Sequence, residues 1–386
     1  MDNYQDLSHD IVRGQLPNPF LFADGTRATD AGSWQRRRQE ILRDTIALEY
    51  GGLPPKPEEF RIERTYAEAG AAYYRLFAGP EGRPFSFTFV VYSPSRELYP
   101  DKRPVIIDGD GCFMRCTSDE IIKSITDRGV YFIKFNRTDL APDNYRLERV
   151  QGLYLTYPEN TSFTAISAWA WGYHRIIDAL ELFPTIDYQY DRIDMDCIAV
   201  TGHSRGGKTA LLAGVTDERV KIVNPNNSGA HGCGCYRYET RLPVSDEESG
   251  EGRNEKLGDL FESCPNWMGP GLKEYINRES DLPHDMHFVK ALAAPRYFLE
   301  TDAFGDIWSN PHGSWQTFMA AREVYRMLGC EDRICMYYRE GGHKQGLDDF
   351  RVLCDFVLCV FDGRKIPDEY YRPYFPDMKP IFDFSK

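Results

Sequence analysis

Between Val200 and Gly214 the chain reads VTGHSRGGKTALLAG, and within it Gly202-His203-Ser204-Arg205-Gly206 is a G-x-S-x-G pentapeptide. A serine hydroxyl is a poor nucleophile until a base takes its proton and a third group orients that base. The setting gives the pentapeptide its meaning: the β-rich run Cys197 to Val200 precedes it, and good helix material, Arg205 to Gly214, follows. A strand–turn–helix of this kind projects the Ser204 hydroxyl from a sharp bend. Its glycines allow close backbone approach, and the helix start aims N–H groups at a developing oxyanion. The plainer reading is a strand-to-helix turn with a capping serine.

The base should lie in a loop after the last strand. His343, in REGGHKQG, follows the strand-like ICMYYR and precedes a terminal helical pattern. The other seven histidines fit less well: His9 and His174 precede the serine, His231, His284, His287 and His312 come before that strand, and His203 is expected to face away from its neighbour. A solvated loop histidine is the alternative for His343. The acid should follow the preceding strand, RYFLE, where LETDAFGDIWSNP offers Asp302 and Asp306. Asp306, farther out in the loop, is favoured to reach His343; Asp302 comes next and is otherwise expected to cap the strand end. Ser204, Asp306 and His343 would thus sit on strand ends in the order of an acyl-transfer triad.

These residues need a scaffold of alternating strands and helices. Strand-like runs are Phe85 to Tyr92, Pro104 to Ile107, Val130 to Phe135, Cys197 to Val200, Val220 to Val223, Tyr297 to Leu299 and Ile334 to Tyr338. Between the third and fourth, Ile166, Ala170, Tyr173, Ile177 and Leu180 recur at helical spacing and predict one buried face; Phe350, Leu353, Val357 and Val360 predict a closing helix. The alternation implies a mainly parallel sheet flanked by helices on both faces, a three-layer α/β sandwich of the α/β-hydrolase kind. We expect one domain over 1–386, with an N-terminal wrap of helix and loop over about 1–60 and a cap-like insertion over about 229–285.

Composition narrows the partners. A net charge of −13 repels phosphate backbones and anionic lipid, so neither nucleic acid nor membrane is an expected partner. The start, MDNYQDLSHDIVRGQLPNPF, lacks the basic and apolar stretches of a secretory signal, which points to a cytoplasmic protein. Ten scattered cysteines are expected to be mostly reduced thiols. Cys233-x-Cys235 and His284-x-x-His287 lack the rest of a zinc ligand set, so neither metal nor cofactor is expected.

The block TGHSRGGKTALLAGVTDERV, followed by NSGAHGCG, resembles the glucuronoyl esterases of carbohydrate esterase family 15, whose elbow reads G-[CH]-S-R-x-G-K. AISAWAW (Ala165 to Trp171), LPHDMHFVKALAAPR (Leu282 to Arg296), the Asp306-x-Trp308 pair and the glycine before His343 extend the likeness over roughly 45–362. Acetyl-xylan-esterase-like hydrolases share the scaffold. The resemblance implies Ser204 as nucleophile, His343 as base and Arg205 as an oxyanion partner. It further implies Lys208 as a contact to the sugar hydroxyls and Trp308 as lining of the sugar site, against the bland readings of a solvated helix lysine and a packing residue. Fungal members place their catalytic glutamate where this chain has Asn227, so the acid must come from the later loop. The implied substrate is a small carbohydrate ester, foremost a 4-O-methyl-glucuronoyl ester. Sugar deacetylation is the runner-up, and a non-catalytic carbohydrate-binding protein is the reading from another class.

Overall fold

A computed structural model describes residues 4–111, 117–144, 146, 149–186, 192–246 and 250–385. Strands β1 (Ile11–Val12) and β9 (Tyr238–Glu239) form a small antiparallel ladder. The main sheet comprises β2 (Glu59–Glu68), β3 (Ala71–Gly79), β4 (Phe85–Tyr92), β5 (Arg103–Asp108), β6 (Tyr131–Phe135), β7 (Ile193–His203), β8 (Val220–Asn226), β10 (Tyr297–Ala303) and β11 (Ile334–Arg339), in the order β11-β10-β8-β7-β5-β6-β4-β3-β2. Pairings from β6 through β5, β7, β8 and β10 to β11 are parallel, and the β2-β3-β4-β6 flank is antiparallel.

The helices are α1 (Ala31–Tyr50), α2 (Asp119–Thr126), α3 (Leu153–Thr156), α4 (Ala165–Ile186), α5 (Arg205–Thr216), α6 (Leu257–Ser263), α7 (Met286–Ala291), α8 (Pro311–Met327) and α9 (Leu347–Phe361). Side chains alternate across a strand. Ile106, Phe132, Ala199, Ile222, Leu299 and Cys335 therefore pack against α2 and α9, while Val105, Ile107, Ile133, Val200, Val223 and Met336 join the core formed with α1, α4, α5, α7 and α8. Helices thus cover both faces, giving three layers. The eight described cysteines are free thiols, Cys112 and Cys116 lying outside the described residues. No helix among the described residues is long and apolar enough to cross a membrane.

Three features depart from the sequence reading. The hairpin β2–β3 was absent from the expected strands, because FRIERTYAE is mostly exposed at the sheet edge and shows no clean alternation. Its signal was Gly70, whose φ of 81° turns the chain between the two strands. α4 is buried almost all round rather than along one stripe: Trp169, Trp171, His174 and Arg175 are buried together with Ile166, Ala170 and Tyr173. The cause is a second covering layer, since Trp171 donates its indole N–H to the Pro55 carbonyl (2.8 Å) and Trp169 packs edge-on against Trp267. The N-terminal segment is not only helix and loop, because β1 pairs with β9 inside the 229–285 stretch.

Helix α1 is tied to the 231–284 stretch by a buried polar cluster. Glu49 of α1, wholly buried, accepts from His231 Nδ1 (2.6 Å), His284 Nε2 (2.5 Å) and the Tyr236 hydroxyl (3.0 Å). Burial pushes the carboxyl up, but the hydrogen bonds and charges of the two histidines outweigh it and bring the group down to about 2 from 4.5. A depressed carboxyl contributes stability above its unfolded value, lost as pH falls through the folded one. Between pH 5 and 2 wild type should lose about 3 kcal/mol through this group. The Glu49→Gln protein should be less stable at neutral pH and show a shallower acid limb, read from urea denaturation across that range; parallel acid limbs would contradict this.

Candidate active site

The elbow is assembled from β7 and α5. Ser204 sits between them at φ 56°, ψ −121°, a left-handed conformation that costs a non-glycine residue about 1–3 kcal/mol. The surroundings enforce it: the Ser204 N–H donates to the Asn226 carbonyl (2.9 Å), and its own carbonyl accepts from the Lys208 N–H (3.0 Å). Both flanking glycines are obligatory. A Cβ on Gly202 would lie 2.4 Å from the Gly206 carbonyl oxygen, and one on Gly206 would lie 2.3 Å from Asp110 Oδ1. α5 then starts at Arg205, so the unsatisfied N–H groups of its first turn open at the serine end. Among the described residues the Ser204 hydroxyl engages no protein partner.

His343, in the loop after β11, is brought to Asp306, in the loop after β10: Nδ1 and Oδ2 are 2.7 Å apart. His343 is partly exposed, its side chain at 41%, whereas Asp306 is nearly sealed at 2%. Burial raises the Asp306 carboxyl, but the hydrogen bond and charge of His343, helped by Ser309 Oγ (2.6 Å) and Asn227 Nδ2 (2.7 Å), hold it below the ordinary carboxylate range. An ionised acceptor at Nδ1 fixes the tautomer that leaves Nε2 free to take a proton.

Asp302 does not reach the histidine. It lies at the end of β10, accepting from Asn227 Nδ2 (2.8 Å) and the Ala303 N–H (2.9 Å). Burial, then the charges of Glu300 and Asp306, drive its carboxyl far above the usual range. The two aspartates, four residues apart, are thus shifted in opposite directions, Asp306 below the ordinary carboxylate range and Asp302 above it. Asn227, at φ 43°, bridges them with its amide. A carboxylate at 227 would face Asp306 as a like charge; the amide donates instead.

His203 does not face away, contrary to the sequence expectation. Its ring packs 4.5 Å from that of His343, and its Nδ1 pairs with Asn226 Oδ1 (2.8 Å). Burial foremost, then the charge of His343, lowers it to about 4, so it offers a neutral wall beside the base.

Arg205 is one-third exposed. It donates to Asp143 Oδ2 (3.1 Å), and its guanidinium carbon lies 4.6 Å from the Trp267 ring centroid. Lys208 is no solvated helix lysine: its side chain is only 3% exposed, and Nζ reaches the Ser228 and Ala230 carbonyls (2.7 and 2.5 Å) and Glu255 Oε2 (3.1 Å). Trp308 is 39% exposed, in the turn Ile307–Ser309 directly after Asp306, with the Arg253 guanidinium 5.8 Å from its ring. Lys208 and Glu255 therefore lie one helical turn beyond the nucleophile position, and Trp308 lies beside the acid. Sequence reasoning did not single out Asp143 or Ser309, and reached Glu255 only as one end of a segment, about 255–267, that loosely matches the family's further sugar contacts. Of these, only Ser309 carried a local signal, standing three residues after Asp306 on one turn. Among the described residues no group of three or more His, Cys, Asp or Glu side chains is placed so that it could hold a metal ion.

The arrangement of nucleophile position, imidazole, ionised carboxylate and adjacent guanidinium suits acyl transfer. Comparison with known proteins points the same way. The family model described as glucuronyl esterase, fungi, matches residues 78–329. A 4-O-methyl-glucuronoyl methylesterase of Wolfiporia cocos is 32% identical over 321 residues, 82% of this chain and 73% of that protein. Among solved structures, a carbohydrate esterase family 15 glucuronoyl esterase from Caldicellulosiruptor kristjansonii superposes with a TM-score of 0.82 at 29% identity, covering 99% of both chains. The glucuronoyl esterase catalytic domain from Hypocrea jecorina gives 0.73 at 26% identity, covering 97% of this chain and 94% of that one. With an α/β-hydrolase sheet carrying an acyl-transfer constellation and a family match across most of its length, the chain belongs to the glucuronoyl esterases, carbohydrate esterase family 15, and is a carboxylic-ester hydrolase.

Proposed function

We propose that the protein cleaves 4-O-methyl-glucuronoyl esters through a Ser204 acyl-enzyme. The observation that carries this reading is the 2.7 Å His343–Asp306 pair, packed over the residue that precedes the Ser204 elbow. Ser204 Oγ attacks the ester carbonyl and passes its proton to His343 Nε2, while Asp306 holds the imidazole and stabilises the imidazolium. The tetrahedral oxyanion faces the Arg205 guanidinium and the first N–H groups of α5; a permanent charge in a preorganised position favours the transition state over the neutral ester. His343 returns the proton to the departing alcohol. It then draws a proton from water, which attacks the acyl carbon; the bond to Ser204 Oγ breaks, His343 returns the proton to that oxygen, and the glucuronate is released.

On the acid side of the ester, Lys208 with Glu255 offers a charged edge for sugar hydroxyls, and Trp308 an indole face for the pyranose ring. Of the three Lys208 contacts, the one to Glu255 is the longest, and a hydroxyl can take it over. Lys208→Ala should lower kcat/KM on a glucuronate ester by roughly ten- to a hundredfold, about 1.4–2.8 kcal/mol, while leaving an acetyl ester nearly untouched. Equal losses on both substrates would assign the lysine to folding alone.

The test of the reaction combines two measurements on the whole protein. A serine-directed phosphonate should label one residue, Ser204, by peptide mass. Turnover of methyl and benzyl esters of 4-O-methyl-glucuronate should exceed that of acetylated xylo-oligosaccharides. Absence of labelling, or preference for the acetyl substrates, would refute the proposal.

A further inference from the structure

Two arginine–indole pairs share one carboxylate beside the elbow. In the outer pair, Arg205 lies over Trp267 and donates through Nη1 to Asp143 Oδ2 (3.1 Å), while the Trp267 indole N–H donates to Asp143 Oδ1 (3.2 Å). In the inner pair, Arg137, wholly buried, lies 4.9 Å from the Trp169 ring, with Nη2 3.7 Å from the same Asp143 Oδ2. The two indoles meet edge to face at 6.4 Å. Arg137 Nη1 also bonds Asp110 Oδ1, and Asp110 Oδ2 accepts the His203 backbone N–H at 2.7 Å while abutting Gly206. One buried guanidinium therefore ties together the carboxylate under the elbow backbone and the carboxylate that holds Arg205.

We infer that Asp143 is a positioning residue for the oxyanion site, orienting Arg205 and coupling it through Arg137 and Asp110 to the elbow. This rests on the oxyanion role proposed for Arg205. Asp143 occupies Nη1, and among the described residues Nε and Nη2 of Arg205 make no other hydrogen bond, so that edge remains for the substrate. A long, one-third exposed arginine otherwise samples many rotamers. Clamping it between a carboxylate and an indole removes that disorder before chemistry begins, which is the condition for electrostatic preorganisation. Asp143 also acts in the opposite sense, because its negative charge offsets part of the field of Arg205. Arg137, 3.7 Å from the same oxygen, offsets that charge in turn, leaving orientation as the dominant contribution.

The experiment is a double-mutant cycle on the full chain, read as kcat and KM on the methyl ester of 4-O-methyl-glucuronate, with thermal unfolding in parallel. Asp143→Asn should lower kcat roughly tenfold, KM moving less than about twofold, as expected for an interaction realised in the transition state. In the Arg205→Ala background the same change should alter kcat by less than about twofold, because the residue it positions is gone. Trp267→Phe keeps the shelf and removes the N–H donor to Asp143; it should act in the same direction, more weakly, and likewise vanish without Arg205. Additive effects, or an unchanged or increased kcat for Asp143→Asn, would overturn the positioning role while leaving Arg205 as oxyanion partner. An Arg205→Ala protein with undiminished kcat would overturn both.

Discussion

Ser204→Ala is expected to lower kcat on a glucuronate methyl ester by on the order of 10⁶, with KM changed only severalfold. The hydroxyl is the one group that forms and breaks a covalent bond in the proposed reaction, and no described neighbour can take its place: His203 on one side is packed against His343 and bonded to Asn226. The oxyanion partners remain in the variant, so a residual acceleration of roughly 10³–10⁴ over water should persist. Alanine accepts φ 56° about as poorly as serine, so the melting temperature should hardly move, which separates a chemical loss from unfolding. The check is single-turnover ester hydrolysis together with phosphonate labelling. A variant retaining more than a few per cent of kcat would remove Ser204 from the mechanism.

The second large effect distinguishes two aspartates four residues apart. Asp306→Asn should cost roughly 10⁴ in kcat. The amide can donate to His343 Nδ1, favouring the tautomer whose Nε2 carries the proton and cannot act as base, and it supplies no charge to the imidazolium. Asp302→Asn should stay within about threefold, because it is Asp306 that bonds His343 and an amide oxygen at 302 can still accept from Asn227 and Ala303. Comparable losses in the two variants would mean that the buried pair acts as one unit, and the assignment of Asp306 alone would fail. The relevant measurement is kcat at saturating substrate for both variants, with circular dichroism spectra to show that the fold survives.

The positions proposed for the triad could be picked out because their signals are local. Ser204, Asp306 and His343 each follow an apolar, β-rich run directly, and strand ends can be read from windows of a few residues. The central parallel strands, the helix after the serine and the terminal helix were legible for the same reason. Less visible was anything whose meaning depends on distant neighbours. β2 reads as polar because it is an edge strand, and α4 reads as amphipathic because a sequence period shows one stripe but not the second layer that covers the rest. Lys208 was marked as a sugar contact only by the resemblance, its local pattern being that of any helix lysine; its burial is created by carbonyls at 228 and 230 and by Glu255, 47 residues away.

By itself, then, the sequence determined the α/β order of elements, the elbow with its two steric glycines, and the placing of an acid and a histidine on the strand ends that follow. Only the tertiary structure decided which aspartate meets the histidine, that Asn227 donates to both of them from 79 residues before Asp306, and that Asp143, 62 residues before Arg205, holds its guanidinium. The physical reason is the range of the forces involved. Propensity and hydrophobic period act between chain neighbours, whereas the charge state and orientation of a buried group are set by whatever carboxylates, amides and rings the fold brings within about 3–5 Å of it.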